Sequence, residues 1–527
     1  MDRFLESKPG HAQPSAMAIQ VRLLLTVLSV LCCYLSLPGG PLPILAVVGL
    51  APLGVAIHGA TRAQALALAY GFGFLGWIAC TGGLVLGLSS YVHLSFQEAF
   101  LFIAVLCAYL AIPYGLFGCC YGIFQWMKLP WGHIKTAACL AVLLSLFPTP
   151  LPMSPAHALS EFPAIIQILD LGGEPLLLFS LCLFNWQIVE LVLRIARQEP
   201  LMRGLSSLLV IITAMVVYGQ VRIEGYHSQE AASDAARMIS VVALQPNILL
   251  PISGEASSQE ADSAAQDLLE MSEQSLVRHP RADLVVWPEI PADIDCTAGT
   301  AVRERISTVA ARLQTAFLVN CVLRSSDGGK YNTALFVPPA GEPSRYIKRM
   351  LFPFAEYLPG EGRIKLLRTL FPGASRYEPG TESVVFRIRK ELSVMTAICY
   401  EILFSGHVET LIEKGGNVLI NQTNDAWFGN SRIVDFLVSA SIFKAVEFRV
   451  PVIRVSNSGN CLVVMASGEI KQNSRTTPFT RTTRVFRVFI PDQHRTPVSG
   501  GARFIWLLAA AWGIDAWRSI VRKEGGK

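Results

Sequence analysis

Two rhythms of hydrophobic and polar positions divide the chain. Seven long apolar runs fall in the first 222 residues, at about 19–36, 41–58, 63–86, 98–125, 136–148, 174–193 and 204–221, and an eighth lies near 503–517. Roughly 20 apolar residues span the hydrocarbon core of a bilayer, so several of these read as transmembrane helices, with 136–148 and 503–517 the shortest. The first run has no small-x-small cleavage site after it and is followed by further spans, which predicts an uncleaved helix rather than a leader. From about 238 the rhythm shortens. Strand-like segments ("MISVVALQ", "ADLVVWPE", "AFLVNCVLR", "YNTALFVPP", "ELSVMTAIC", "NVLINQTN", "PVIRVSNS", "CLVVMASGEI") alternate with helical ones, among them "SQEADSAAQDLLEMSEQSLVRH", "VRERISTVAARLQT", "EILFSGHVETLIEKGG" and "DFLVSASIFKAVEFRV". Such alternation predicts a layered α/β domain in which helices cover sheets.

Charge orients the apolar runs. Arg3, Lys8, Arg22, Arg62, Lys128, Lys135, Arg194, Arg197, Arg203, Arg518, Arg522 and Lys523 fall in every second loop, whereas "LPGGPL", "LSSYVHLSFQ" and 149–173 hold no Lys or Arg. The positive-inside rule then predicts cytoplasmic termini and an outer domain on the far, periplasm-like side. The expected division is 1–222 transmembrane, 223–498 outer domain, and 499–527 a last helix and tail. A chain 52% hydrophobic and 16% charged fits this reading and is too apolar for one soluble globule. The net charge of +5 brings no basic run of the kind that binds nucleic acid. Eight of the twelve cysteines lie in the membrane part; Cys296, Cys321, Cys399 and Cys461 lie in the outer domain without close spacing. The sequence holds no metal-binding cluster and no phosphate loop, so no cofactor is expected.

Three chemistry-bearing residues stand where a strand ends or a turn begins. Glu289 follows an apolar strand and a proline, Lys348 opens the aromatic, proline-rich stretch "YIKRMLFPFAEYLPG", and Cys399 ends "LSVMTAIC". Taken singly, the first two read equally as a solvated glutamate and a surface lysine. A thiol at a strand end, with a helix starting at Tyr400 and Glu401, faces the positive end of a helix dipole and is expected to be acidified. Glu401 also reads as dipole pairing in that first turn.

Together "VVWPE", "YIKRMLFPFAEYLPG", "AICYE" and "NQTNDAWFG" resemble the nitrilase superfamily, whose Glu-Lys-Cys triad stands in such surroundings, roughly 50–60 residues between members. The resemblance implies an αββα sandwich with Glu289 as general base, Cys399 as nucleophile, and Lys348 with the backbone N–H after Cys399 as oxyanion donors. Glu356 matches a second family glutamate and reads equally as an ion-pair partner of Lys348 or Arg349. An outer nitrilase-like domain between the seventh and eighth of about eight transmembrane helices resembles the apolipoprotein N-acyltransferase family. That likeness implies a phospholipid acyl donor, a Cys399 thioester, a diacylglyceryl-modified lipoprotein acceptor and a bacterial inner membrane. The chain departs from the family pattern in having no Trp shortly after "QPNI", and in Ala355, Phe436, Leu437, Ile442, Asn460 and Cys461. A membrane nitrilase-like protein of conjugative transfer, with another acceptor or no enzymatic role, is the second reading these departures sustain.

Overall fold

The computed structural model describes residues 17–91, 94–124, 131–249, 257–290, 292–326, 328–361, 363, 366–371, 375–429, 431–492 and 500–511. Arg3, Lys8, Lys128, the segment expected to lack the family Trp at 250–256, and Arg518, Arg522 and Lys523 lie outside these residues. Five described helices are long and apolar enough to cross a membrane: Ile19–Ser36, Arg62–Thr81, Phe96–Ile123, Leu169–Ala196 and Gly204–Ala231. Pro43–Ile57, Gly132–Leu146 and Gly500–Ala511 are apolar but shorter. The helix containing Gly204–Ala231 thus runs on past residue 222. Leu169–Ala196 is broken at Gly172 and Gly173, the latter at φ +60°, just ahead of Pro175. A proline without an N–H is tolerated there because it opens the helical stretch that follows.

Eleven described strands build two sheets: β1 (Met238–Gln245), β2 (Leu284–Val286), β3 (Ala316–Arg324), β4 (Lys330–Val337), β5 (Ser344–Ile347), β6 (Val385–Arg389), β7 (Leu392–Ile398), β8 (Val418–Thr423), β9 (Val452–Ser456), β10 (Leu462–Val464) and β11 (Thr482–Phe489). Their orders are β11-β1-β2-β3-β4-β5 and β10-β9-β8-β7-β6. Parallel pairs form the centre of each sheet, β1–β2–β3 and β7–β8–β9, and antiparallel strands flank them. Alternation sorts the side chains. Ile239, Val241 and Ala243 enter the core shared with the second sheet, while Val242 and Leu244 face the helix layer with Leu268, Leu269 and Ile306. Strands covered on both faces read as near-continuous apolar runs, as these do. The helix Ser258–Arg278 starts at a capping box in which Ser257 and Glu260 bond each other's backbone N–H.

On the other side, the helix Ile433–Phe448 is sandwiched between the second sheet and the membrane part, touching Leu169–Ala196 and the 3-10 turn Pro155–Glu161. Phe436, Leu437 and Ile442 are all buried there. Their apolar character, which departs from the family pattern, thus serves a helix with no solvent face. Three strands escaped the sequence reading, β5, β6 and β11. All lie at sheet edges, and β11 sets exposed Arg487 between buried Phe486 and Val488. Its pairing with β1, not β10, completes the first sheet.

Candidate active site

Each proposed chemical residue is held by the element before it. After β2 the chain is clamped at Trp287, whose N–H donates to the Leu318 carbonyl, whose carbonyl accepts from Gln422, and whose indole N–H donates to Ser272. Pro288 has no N–H to continue the ladder, so Glu289 leaves the sheet edge. Lys348 follows β5, its N–H bonded to the Asn332 carbonyl, and its side chain is only 1% exposed. Cys399 ends β7 at φ +55°, a left-handed conformation that costs a non-glycine residue about 1–2 kcal/mol. Asn421 holds that turn by donating to the carbonyls of Ala397 and Cys399, each at 2.9 Å. Buried Arg454, paired with Asp425, fixes the Asn421 oxygen at 2.7 Å.

The side chains converge. Lys348 Nζ lies 3.4 Å from Glu289 Oε1 and 2.9 Å from Glu356 Oε2. Asn332 Nδ2 donates to Oε1 of both glutamates at 2.9 Å. Arg349, the other partner considered for Glu356, instead bonds Ser383. Burial pulls the Lys348 ammonium down, but Glu289 and Glu356, with Cys399 and Glu401, overcome it and hold the lysine charged well above its usual range. The thiol behaves oppositely to the expectation. Burial and then the Glu289 carboxylate push Cys399 up, against the opposing pull of Lys348 and of Thr423, whose hydroxyl donates to the sulfur at 3.6 Å. The cause is local. Cys399–Leu403 is a five-residue 3-10 turn, and the α-helix starts only at Ser405, so no long helix dipole points at the sulfur. A neutral, buried thiol needs a base at the moment of attack.

Tyr400 donates to the Leu351 carbonyl at 3.0 Å and meets Phe352 edge-on. Glu401 is fully buried: Oε1 accepts from Tyr346 Oη and the N–H groups of Arg349 and Met350, and Oε2 from the Ile398 N–H. It ties the lysine segment to the cysteine turn, and it also caps the first turn of the 3-10 helix through the Ile398 N–H. Asn332, Asn320, Asn421 and Thr423 escaped the sequence reading, because asparagines inside apolar strands give no spacing signal; the only cue is a polar residue at an inward position. Among the described residues no group of three or more His, Cys, Asp or Glu could hold a metal ion.

Two facing sheets with carboxylate, lysine and thiol at one edge are the arrangement of a nitrilase-like domain, and residues 239–485 match the Carbon-nitrogen hydrolase family. Among curated relatives, the apolipoprotein N-acyltransferase of Geobacter metallireducens is 30% identical over 314 residues, 58% of this chain and 58% of that protein. That of Haemophilus influenzae is 28% identical over 229 residues, 42% and 43% respectively. The chain is thus similar to these apolipoprotein N-acyltransferases over 58% or less of their length. Among solved structures, Nit3 of Saccharomyces cerevisiae, a member of the nitrilase superfamily, has a TM-score of 0.38 at 15% identity, covering 51% of this chain and 93% of that one.

Proposed function

We propose that the protein is a membrane-bound N-acyltransferase that moves an acyl chain from a phospholipid, through a Cys399 thioester, to the N-terminal amine of a diacylglyceryl-cysteine lipoprotein. The observation that carries this is Lys348, buried between two carboxylates and facing a neutral thiol. In the first half-reaction Glu289 takes the sulfur proton as Cys399 attacks the ester carbonyl. The developing oxyanion is stabilised by the Lys348 ammonium, and one such donor is worth about 3–4 kcal/mol in the transition state. Collapse breaks the ester C–O bond, and the proton passes from Glu289 to the departing lysophospholipid. In the second, the amine attacks the thioester, gives its proton to Glu289, and the amide leaves as the thiol is restored.

A lipid donor is supported by an aromatic surface that joins the site to the membrane part. Phe352 meets Tyr400 and Phe428, and Phe354 and Phe371 both pack on Phe102 of the helix Phe96–Leu110. The periplasmic placement is supported by the loops on which the outer domain rests. Arg432 bonds the Gly39 carbonyl at 2.6 Å, and His157 bonds Ser439 at 2.8 Å, so contact is made through two loops that hold no Lys or Arg. Under this topology both termini are cytoplasmic, the membrane is the bacterial inner one, and the domains divide near 222 and 499.

Intact-protein mass spectrometry on purified membranes tests the reading. A mass increase of one fatty acyl group is expected in the native chain, absent in Cys399→Ala and discharged by a diacylglyceryl-cysteine peptide. An adduct that this peptide cannot discharge would point to another acceptor, and no adduct under phospholipid supply would overturn acyl transfer.

A further inference from the structure

The two glutamates beside Lys348 are not equivalent, and the difference is set by an amide that the reaction scheme does not use. Asn332 lies on β4 and Asn320 on β3, both 6% exposed. Asn320 Nδ2 donates to Asn332 Oδ1 at 2.8 Å and to the Thr333 carbonyl at 3.3 Å. That bond fixes the orientation of the Asn332 amide. With its oxygen occupied by Asn320, both N–H groups point at the carboxylates, one to each Oε1. An amide turned the other way would set a carbonyl oxygen against two carboxylates.

Counting donors separates the pair. Glu356 Oε1 accepts from Asn332 and from Lys348 at 3.0 Å; its Oε2 accepts from the Phe352 N–H at 2.7 Å and lies 2.9 Å from the Lys348 ammonium. Both Glu356 oxygens are thus engaged and each lies within 3.0 Å of the Lys348 ammonium, an adjacent positive charge that disfavours a proton there. Glu289 accepts from Asn332 at 2.9 Å and from Lys348 only at 3.4 Å, both on Oε1. Its Oε2 has no hydrogen-bond partner among the described residues. We propose that Asn332, oriented by Asn320, is a positioning residue that locks Glu356 as the counter-ion of Lys348 and leaves Glu289 as the one carboxylate able to take the Cys399 proton. This rests on Cys399 being the nucleophile, but not on the identity of donor or acceptor.

The test is the pH dependence of Cys399 alkylation by iodoacetamide on the full chain in detergent, read by peptide mass spectrometry, which needs neither lipid nor lipoprotein. Asn332→Asp keeps the shape but replaces two donors by a third anion. It is expected to slow alkylation at pH 7.5 about 100-fold, the low end of what a positioned base contributes. Glu289→Gln is expected to match it, the double variant to be no slower than either, and Glu356→Gln to slow the reaction while keeping the wild-type pH profile. Asn320→Leu, which leaves Asn332 in place but frees its amide, should give an intermediate loss even where Asn332→Asp fails to fold. Losses that multiply in the double variant, or a Glu356→Gln profile matching that of Glu289→Gln, would overturn the proposal. Normal alkylation behaviour in a chain that never forms an acyl adduct would instead defeat the acyl-transfer reading alone.

Discussion

At the scale of single residues, Lys348 is where electrostatics and the proposed catalysis meet. It is a fully buried cation kept charged by Glu289 and Glu356, and truncating it strands two carboxylates in a dry site. Removing one partner of a buried ion pair costs about 3–5 kcal/mol, so Lys348→Met is expected to lower the unfolding midpoint as well as acylation. Because the folded value is raised, the lysine's contribution is fully present below its unfolded pKa and fades only as pH rises through the folded one. It should therefore not vary between pH 6 and 9. Acyl-adduct formation should fall about 100- to 1000-fold in single-turnover measurements, the typical loss of an oxyanion donor. A variant that melts normally and still acylates would refute this role for the lysine.

At the scale of elements, the helix Ile433–Phe448 decides how the two parts of the chain join. Its neighbour His157, on the turn Pro155–Glu161, stacks on Phe443 at 4.5 Å and meets Phe436 edge-on. It bonds Ser439 on one ring nitrogen, while the other faces Glu174 at 3.5 Å. Burial lowers its pKa to about 4, with Glu174 raising it in part and Lys444 lowering it further. The sign follows from linkage. The unfolded chain binds the proton near pH 6.5 and the native chain does not, so this contribution is complete above 6.5 and is lost as pH falls toward 4. A shift of this size corresponds to about 3 kcal/mol. His157→Phe should therefore flatten the fall in unfolding midpoint between pH 7.5 and 5. An equally steep fall in both proteins would show that His157 does not carry it.

At the scale of the whole molecule, a second joint lies at the end of that helix. Asp170, its side chain 2% exposed, accepts from Arg449 Nε at 3.1 Å and from Tyr218 Oη at 2.8 Å, and pairs with Arg222 at 2.9 Å. One carboxylate thus gathers the outer domain, the helix Leu169–Ala196 and the helix Met202–Ala231. Asp170→Ala leaves two arginines facing each other. Faster amide exchange is expected in Ile433–Phe448 and Pro155–Glu161, with β1–β3 and β7–β9 unaffected. Uniform loosening of both sheets would mean that the joint stabilises the domain itself rather than its seat.

Local patterns were enough to expose the apolar runs, most of the strands and the segments bearing Glu289, Lys348 and Cys399, because burial and chain turning act over a few residues and leave a period or a break. The edge strands β5, β6 and β11 left little, since half-exposed positions carry arginines and serines as readily as apolar residues. The state of the thiol was beyond the sequence too: an acidified cysteine on a helix was expected, and a buried one on a 3-10 turn is present. Charge state depends on desolvation and on partners brought from other strands, which no window of neighbours contains. For the same reason only the tertiary structure set Asn332 between two glutamates and Asp170 between two arginines. The sequence determined which segments cross, fold and turn; the packing of those segments decided which polar groups meet away from water, and so what each can do.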